Sequence, residues 1–423
     1  MKTLISAFFV LGTLCISCEN DIALPVQSVE PVNSSSSVSL SEAEAIKLSN
    51  QLLNQMDTAN RDTKGFSMDR RVKTVEYVRA TASPVMRTAE HEIPDTLVYL
   101  INYENEQGFS IVSADKRLPL IYAISEEGHL DISDTIENKG LALFFKNMEQ
   151  HILRTLAEDG FPIGKEVDER YSYQVKLEKR QLPLLWPEVG NWHQNEPFNQ
   201  YCFTADGKQA SVGCVAVAMA QLMSYFDWPR EINGQKLMWR SMKKGAKNSD
   251  VALLMKRLGD SDMLNMNYGV GTSGASVDAI APAFNKMGYT AYGIENFLPF
   301  FVEDWLSGSY EFIPYKQGPV IVIGTDMHGA GSHVWIVDGY IQNSIYRTID
   351  ENQYPYHFYS DDFGLFHCIW GWRGSCNGYF FFNTLDVSGS PDYWGGYGDD
   401  ASGKDIGYDF GNIRCLLGVY PNN

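Results

Sequence analysis

Between residues 211 and 229 the apolar positions follow the period of a helix. Val215, Ala218, Met219, Leu222, Met223 and Phe226 fall at i, i+3, i+4, i+7, i+8 and i+11, the spacing of one buried face. Asp227-Trp228-Pro229 ends the run, because proline cannot continue a helix. The same period predicts a helix from Ser41, where Ser41-Glu42-Ala43-Glu44 is a capping box with Leu40 and Ala45 as its staple, and where Leu48, Leu52 and Met56 share a face. A third helix is predicted over 138–158, with Leu141, Phe144, Phe145, Met148, Ile152 and Leu156 inward, and a fourth over 277–287. Thr96–Tyr103, Gly108–Ala114 and Leu120–Ser125 read as short strands between turn signals, and Pro319–Gly324 as an apolar strand. From His333 to Tyr340 the period is two: His333, Trp335 and Val337 share one face, Val334 and Ile336 the other. Residues 58–95 are polar and carry no clear period.

These elements group into two folded regions. Residues 40–160 make a small α+β domain, and residues 189–423 a larger one. Residues 161–188 between them read as a charged linker, where Lys176, Lys179 and Arg180 offer an exposed place to be cut. Ahead of them, Lys2 and the apolar run Leu4–Leu14 form a secretory signal over 1–17, too short to span a bilayer as a helix. Cys15-Ile16-Ser17-Cys18 then leaves two readings open: a lipoprotein signal in which Cys18 becomes the lipidated first residue, or an ordinary cleaved signal. On the first reading the chain is a cell-surface protein held at the outer membrane of a Gram-negative bacterium through its lipid, with residues 18–39 as a tether.

With 423 residues, 44% of them hydrophobic, the chain has ample material for these cores. A net charge of −18 argues against nucleic acid as a partner, since binding it needs a basic face. In the folded part no Cys-x-x-Cys pair or Cys/His cluster has zinc spacing, so no metal or cofactor is expected. Cys202, Cys368, Cys376 and Cys415 either pair or stay as buried thiols, with Cys214 left over in both cases.

Cys214 opens the helix after Gly213, where the helix dipole and unpaired N–H groups favour the thiolate, the nucleophilic form of cysteine. A thiol nucleophile needs a base to take its proton and return it to the leaving amine, and donors for the developing oxyanion. His333 enters a buried strand from the glycine-rich Gly329-Ala330-Gly331-Ser332 and can be the base. The backbone N–H of Cys214 and the amide of Gln194, in the polar loop Asn191–Asn199, can supply the donors. His328 lacks a third ligand partner, and His193, His357 and His367 lack a matching nucleophile.

Four segments together resemble the streptopain/interpain family of bacterial papain-like cysteine proteases: Trp192–Asn199, Val212–Ala216 through Trp228-Pro229, Ser332–Tyr340 and Trp370–Tyr379. Gly108–Pro119 is similar to the family's prodomain, so the resemblance covers roughly residues 40 to 423. It implies an α+β, papain-like fold, a helical part carrying the catalytic cysteine packed on an antiparallel sheet. It also implies a zymogen in which the region 40–160 is an intramolecular inhibitor removed near residues 165 to 190, acting on protein or peptide substrates. Matched residue by residue, Cys214 is the nucleophile, His333 the base, Gln194 the oxyanion-hole glutamine and Trp370 the tryptophan that shields the histidine. Ser273 and Ser332 fall near substrate-contacting positions, and the tail Gly395–Gly411 is similar to the loop bordering the cleft.

The chain departs from the family at Ile369, where an Asn or Asp would accept a hydrogen bond from the imidazole. Isoleucine cannot, so the orienting group is expected to be missing unless Asn377, Asp338 or a backbone carbonyl replaces it, and Ile369→Asn is expected to raise the rate. A weakened or inactive pseudoprotease that binds without turnover therefore stays open. So does a different Cys/His hydrolase such as a cell-wall amidase, which starts its nucleophile helix in the same way.

Overall fold

A computed structural model describes residues 38–59, 70–80, 94–157, 171–185, 187, 189–325, 332–349, 358–374, 376–381, 384 and 413–422. The leader with Cys18, His328, His357 and the glycine-rich tail 395–411 lie outside the described residues. The N-terminal part runs α1 (Glu42–Ala59), β1 (Val72–Arg79), β2 (Thr96–Tyr103), β3 (Phe109–Ser113), β4 (Ile121–Ser125), α2 (Asp134–Glu137) and α3 (Lys139–Ala157). β5 (Tyr171–Gln181) follows. Then come α4 (Cys214–Phe226), β6 (Glu231–Ile232), β7 (Gln235–Lys236), α5 (Trp239–Lys243), α6 (Asn248–Leu258), α7 (Ile280–Lys286), β8 (Tyr289–Thr290), β9 (Glu295–Asn296) and α8 (Pro299–Ser307). The chain closes with β10 (Val320–Thr325), β11 (Ser332–Ile349), β12 (Phe358–Ile369), β13 (Gly378–Phe381), β14 (Ile413–Leu416) and β15 (Tyr420–Pro421).

The local signals act as read. Ser41 N–H donates to Glu44 Oε2 at 2.9 Å and Glu44 N–H to Ser41 Oγ at 3.3 Å, a reciprocal capping box over buried Leu40 and Ala45. Asn138 caps α3, its Oδ1 accepting from Leu141 N–H at 3.1 Å.

The two regions share one sheet. Eleven antiparallel strands run in the order β1-β2-β3-β4-β13-β12-β11-β10-β14-β9, with β5 added to the second half of β11. The seam is β4 against β13, where Ile124 faces Tyr379 and Ala123 faces Phe380. Strand alternation sorts β10 and β11 onto two cores. Ile321, Ile323, Val334 and Ile336 face the cluster built around α4, whereas Val320, Val322, Trp335 and Val337 face the cluster that holds α1, α3 and the N-terminal strands.

The reading of 161–188 as an exposed linker does not hold for residues 171–181. β5 pairs with β11 from Tyr171↔Ile349 to Gln181↔Tyr340. Its other edge meets α1, where Gln55 Nε2 donates to Val175 O at 2.7 Å and Leu177 N–H donates to Gln55 Oε1 at 2.8 Å. Arg180, expected to be exposed, is buried in a salt bridge with Glu126 and donates to Met56 O at 2.9 Å. Lys176 does stay on the surface.

Candidate active site

The turn that opens α4 needs its glycine. Gly213 has φ +93°, a left-handed conformation, and a Cβ there would sit 2.9 Å from Met266 Sδ and 3.1 Å from Ser273 O. The chain can thus turn sharply and leave Cys214 half-buried at the first helical position. The first N–H groups of a helix have no partner within it, and together with the dipole they favour a negative charge at this end. None of Cys202, Cys214, Cys368, Cys376 and Cys415 is in a disulfide.

The Gln194 loop is bonded to the strand-like run before the cysteine. Val212 N–H donates to Gln194 O at 2.8 Å, and Asn199 Nδ2 to Ala210 O at 2.8 Å. His193, set aside in the sequence, shapes the loop: its Nδ1 accepts Asn195 N–H at 3.2 Å and its ring packs edge-on against Phe198. Burial, and then nearby Arg373, push His193 down to about 4, which keeps that nitrogen an acceptor.

His333, the second residue of β11, lies opposite Gly324 and is 4% exposed. Its Nε2 lies 2.9 Å from the backbone oxygen of Trp370. A carbonyl can only accept, so Nε2 carries the proton and a neutral imidazole keeps its lone pair on Nδ1. Trp335 stacks on the imidazole at 6.2 Å, and Trp370 packs against Trp335 at 5.3 Å, with its indole N–H donating to Cys376 O at 3.1 Å. The next residue, Gly371, backs onto Val217 in the first turn of α4, which brings the histidine's acceptor alongside the cysteine helix.

Of the replacements left open for the orienting group, a backbone carbonyl, that of Trp370, stands at hydrogen-bond distance from His333. Asp338 is engaged elsewhere, with its Oδ1 on His367 Nδ1 at 2.6 Å and its Oδ2 accepting Leu185 N–H at 2.8 Å. Ile369 pairs with Ile336 and packs in the α4 cluster, on the face of β11 opposite His333. Ile369→Asn is therefore not expected to raise the rate. It buries an amide beside Ile336 in the apolar α4 cluster, and the expected outcome is a loss of roughly 1–3 kcal/mol of stability. Urea unfolding beside the parent chain measures it, and a faster, equally stable variant would contradict the geometry.

Of the serines, Ser273 is buried and its Oγ donates to Ser211 O at 2.7 Å while accepting Gly269 N–H at 3.1 Å, so its hydroxyl braces the loop beside Gly213. Ser332 is half-buried, paired with Thr325 directly before His333.

The N-terminal region lies on this site. A Cβ on Gly140, in the first turn of α3, would come within 2.5 Å of Trp370 Cε3 and 2.6 Å of His333 Cδ2. Leu143, one turn on, lies over Gly324, where a Cβ would come within 2.3 Å of its Cδ2. Asp134 accepts from Cys376 Sγ at 3.2 Å, and Phe144 packs on Phe380 at 4.8 Å. Buried in this way, His333 is pushed down to about 4, the Trp370 carbonyl only partly opposing the loss of solvent. At neutral pH the covered histidine is uncharged.

Comparison with known proteins agrees with this layout. Residues 192–380 match the Peptidase C10 family, and residues 37–152 the Spi protease inhibitor family. The chain is 26% identical over 357 residues to the thiol protease/hemagglutinin PrtT of Porphyromonas gingivalis, covering 75% of this chain and 37% of PrtT. It is 22% identical over 342 residues to streptopain of Streptococcus pyogenes, covering 70% of this chain and 76% of streptopain. A fragment of prointerpain A from Prevotella intermedia shares the fold with a TM-score of 0.51 and 19% identity, over 79% of this chain and 99% of the fragment. The cysteine helix and the histidine strand thus lie inside the Peptidase C10 match and the N-terminal region inside the Spi protease inhibitor match, so the chain is similar to the C10 cysteine peptidases, streptopain among them, with an inhibitor-like region ahead of the peptidase-like one.

Proposed function

We propose that this chain is the zymogen of a secreted cysteine endopeptidase that hydrolyses peptide bonds in proteins. Cys214 attacks the scissile carbonyl and His333 takes the thiol proton on Nδ1. The Cys214 N–H and the Gln194 amide hold the oxyanion. Collapse of the tetrahedral intermediate releases the amine, which takes the proton back from His333, and water then hydrolyses the thioester with His333 again as base. The observation that carries this reading is the hydrogen bond from His333 Nε2 to the Trp370 carbonyl, which leaves the imidazole in the tautomer this chemistry needs. It also favours a working peptidase over the inactive pseudoprotease that Ile369 raised. The leader supports export, with Cys18 as a lipid anchor, and α3 over His333 supports the N-terminal region as the intramolecular inhibitor. Casein cleavage that is lost in Cys214→Ala tests the reading. Release of peptidoglycan fragments with casein left intact would assign the site to a cell-wall amidase instead.

The contact between inhibitor and enzyme carries a pH dependence. His151 of α3 packs between Tyr122 of β4 and Phe381 of β13, 5% exposed, and neither ring nitrogen has a partner among the described residues. Burial, and then Arg154 one turn away, push it from 6.5 to about 3. A histidine freed from this pocket binds a proton more readily than one held in it. Docking is thus expected at full strength above about pH 6.5 and to weaken by up to about tenfold per pH unit as pH falls toward 3. The ratio of processing rates between the parent chain and His151→Phe, followed from pH 7.5 to 4.5, should rise in acid. A ratio independent of pH would contradict the assignment.

A further inference from the structure

The carbonyl that orients His333 is itself held. Trp370 N–H donates to Asn377 Oδ1 at 3.2 Å, and Asn377 Nδ2 donates to Gly190 O at 3.2 Å. Asn377 is 5% exposed, and its own N–H closes a turn onto Gly374 O at 3.1 Å. Gly190 directly precedes the Asn191–Asn199 loop that carries Gln194. One buried amide therefore bridges the chain segment that aims the histidine and the base of the segment that carries the oxyanion donor. Both of its polar atoms are satisfied, and a buried network satisfied throughout fixes one geometry.

We propose that Asn377 is a positioning residue of the peptidase: it fixes the Trp370 peptide so that a backbone carbonyl does for His333 what an Asn or Asp side chain at position 369 would do, and it ties that carbonyl to the Gln194 loop. This rests on the peptidase reading above. Asn377 touches neither substrate nor nucleophile, so its effect is on geometry. Productive positioning needs sub-ångström placement, and small displacements of supporting groups cost large factors in rate.

The test compares the full chain carrying Asn377→Ala, Asn377→Asp or neither, processed identically by added trypsin. Peptide hydrolysis is measured for kcat and KM, and the pH dependence of Cys214 alkylation by iodoacetamide is followed by peptide mass spectrometry. The expected result for Asn377→Ala is kcat lower by about tenfold or more with KM within twofold. Its alkylation profile should also move toward that of an ordinary thiol, near pH 8.5. Asn377→Asp keeps the acceptor for Trp370 N–H and should restore the alkylation profile while losing the bond to Gly190 O. An Asn377→Ala enzyme with unchanged kcat and alkylation profile would overturn the proposal. So would equal losses in both variants that track their melting temperatures, the mark of a merely structural residue. Because alkylation reads the Cys214–His333 pair without turnover, a parent chain that alkylates normally and cleaves nothing counts against the proposed function alone.

Discussion

Gly140→Ala is expected to shorten the latency of the zymogen by about tenfold to a hundredfold. The added methyl would lie 2.5 Å from Trp370 Cε3 and 2.6 Å from His333 Cδ2, about 1 Å inside carbon–carbon contact. Neither ring has room to retreat. Trp370 is 1% exposed, fastened through its indole N–H and packed on Trp335 and Phe380, and His333 is held by the Trp370 carbonyl. Overpacking of this kind costs roughly 1–3 kcal/mol. Alanine is the better helix former by about 1 kcal/mol, which opposes the effect, but that gain is shared with the undocked helix and the clash is not. The strain thus falls on docking. The lag before self-processing measures it, and an unchanged lag would mean that α3 does not sit on the histidine in the latent protein.

Gln194→Ala is expected to lower kcat by about 10²–10³ with KM little changed, the cost of removing one oxyanion donor. The loop should survive the change, because its bond to the cysteine segment runs through the main chain from Val212 N–H to Gln194 O, and His193 and Asn199 anchor it independently. What is lost is the side-chain amide. Single-turnover kinetics on the processed enzyme separate this from weaker binding. A change in kcat below about threefold would remove Gln194 from the oxyanion hole.

The helix of Cys214 and the strand of His333 were legible because each carries a strong local period ending at a chemical residue. β5 was not, although it alternates: Tyr173 and Val175 are buried, and Ser172, Gln174 and Lys176 are exposed. Its charges mask the period, and its partner strand β11 lies far along the chain, where no local signal reaches. β1 was missed for a related reason. It is the edge strand, half-exposed along most of its length, so Lys73, Thr74 and Glu76 can face water. Gly140 gains its meaning only from the indole and imidazole it meets. The Trp370 carbonyl has no side-chain signature, which is why Ile369 looked like a missing group rather than a core residue on the opposite face.

In the proposed function Cys214 and His333 form a working pair, held latent by α3, with a main-chain acceptor where the resemblance implies a side chain. A time course of the proform from residue 19 onward, under reducing conditions on a gel, tests it most directly, with Cys214→Ala and a cysteine-directed inhibitor alongside. The account predicts conversion to a shorter stable fragment that retains β5, abolished by the variant and by the inhibitor. An intact chain that also fails to cleave casein after trypsin has removed the N-terminal region would contradict it.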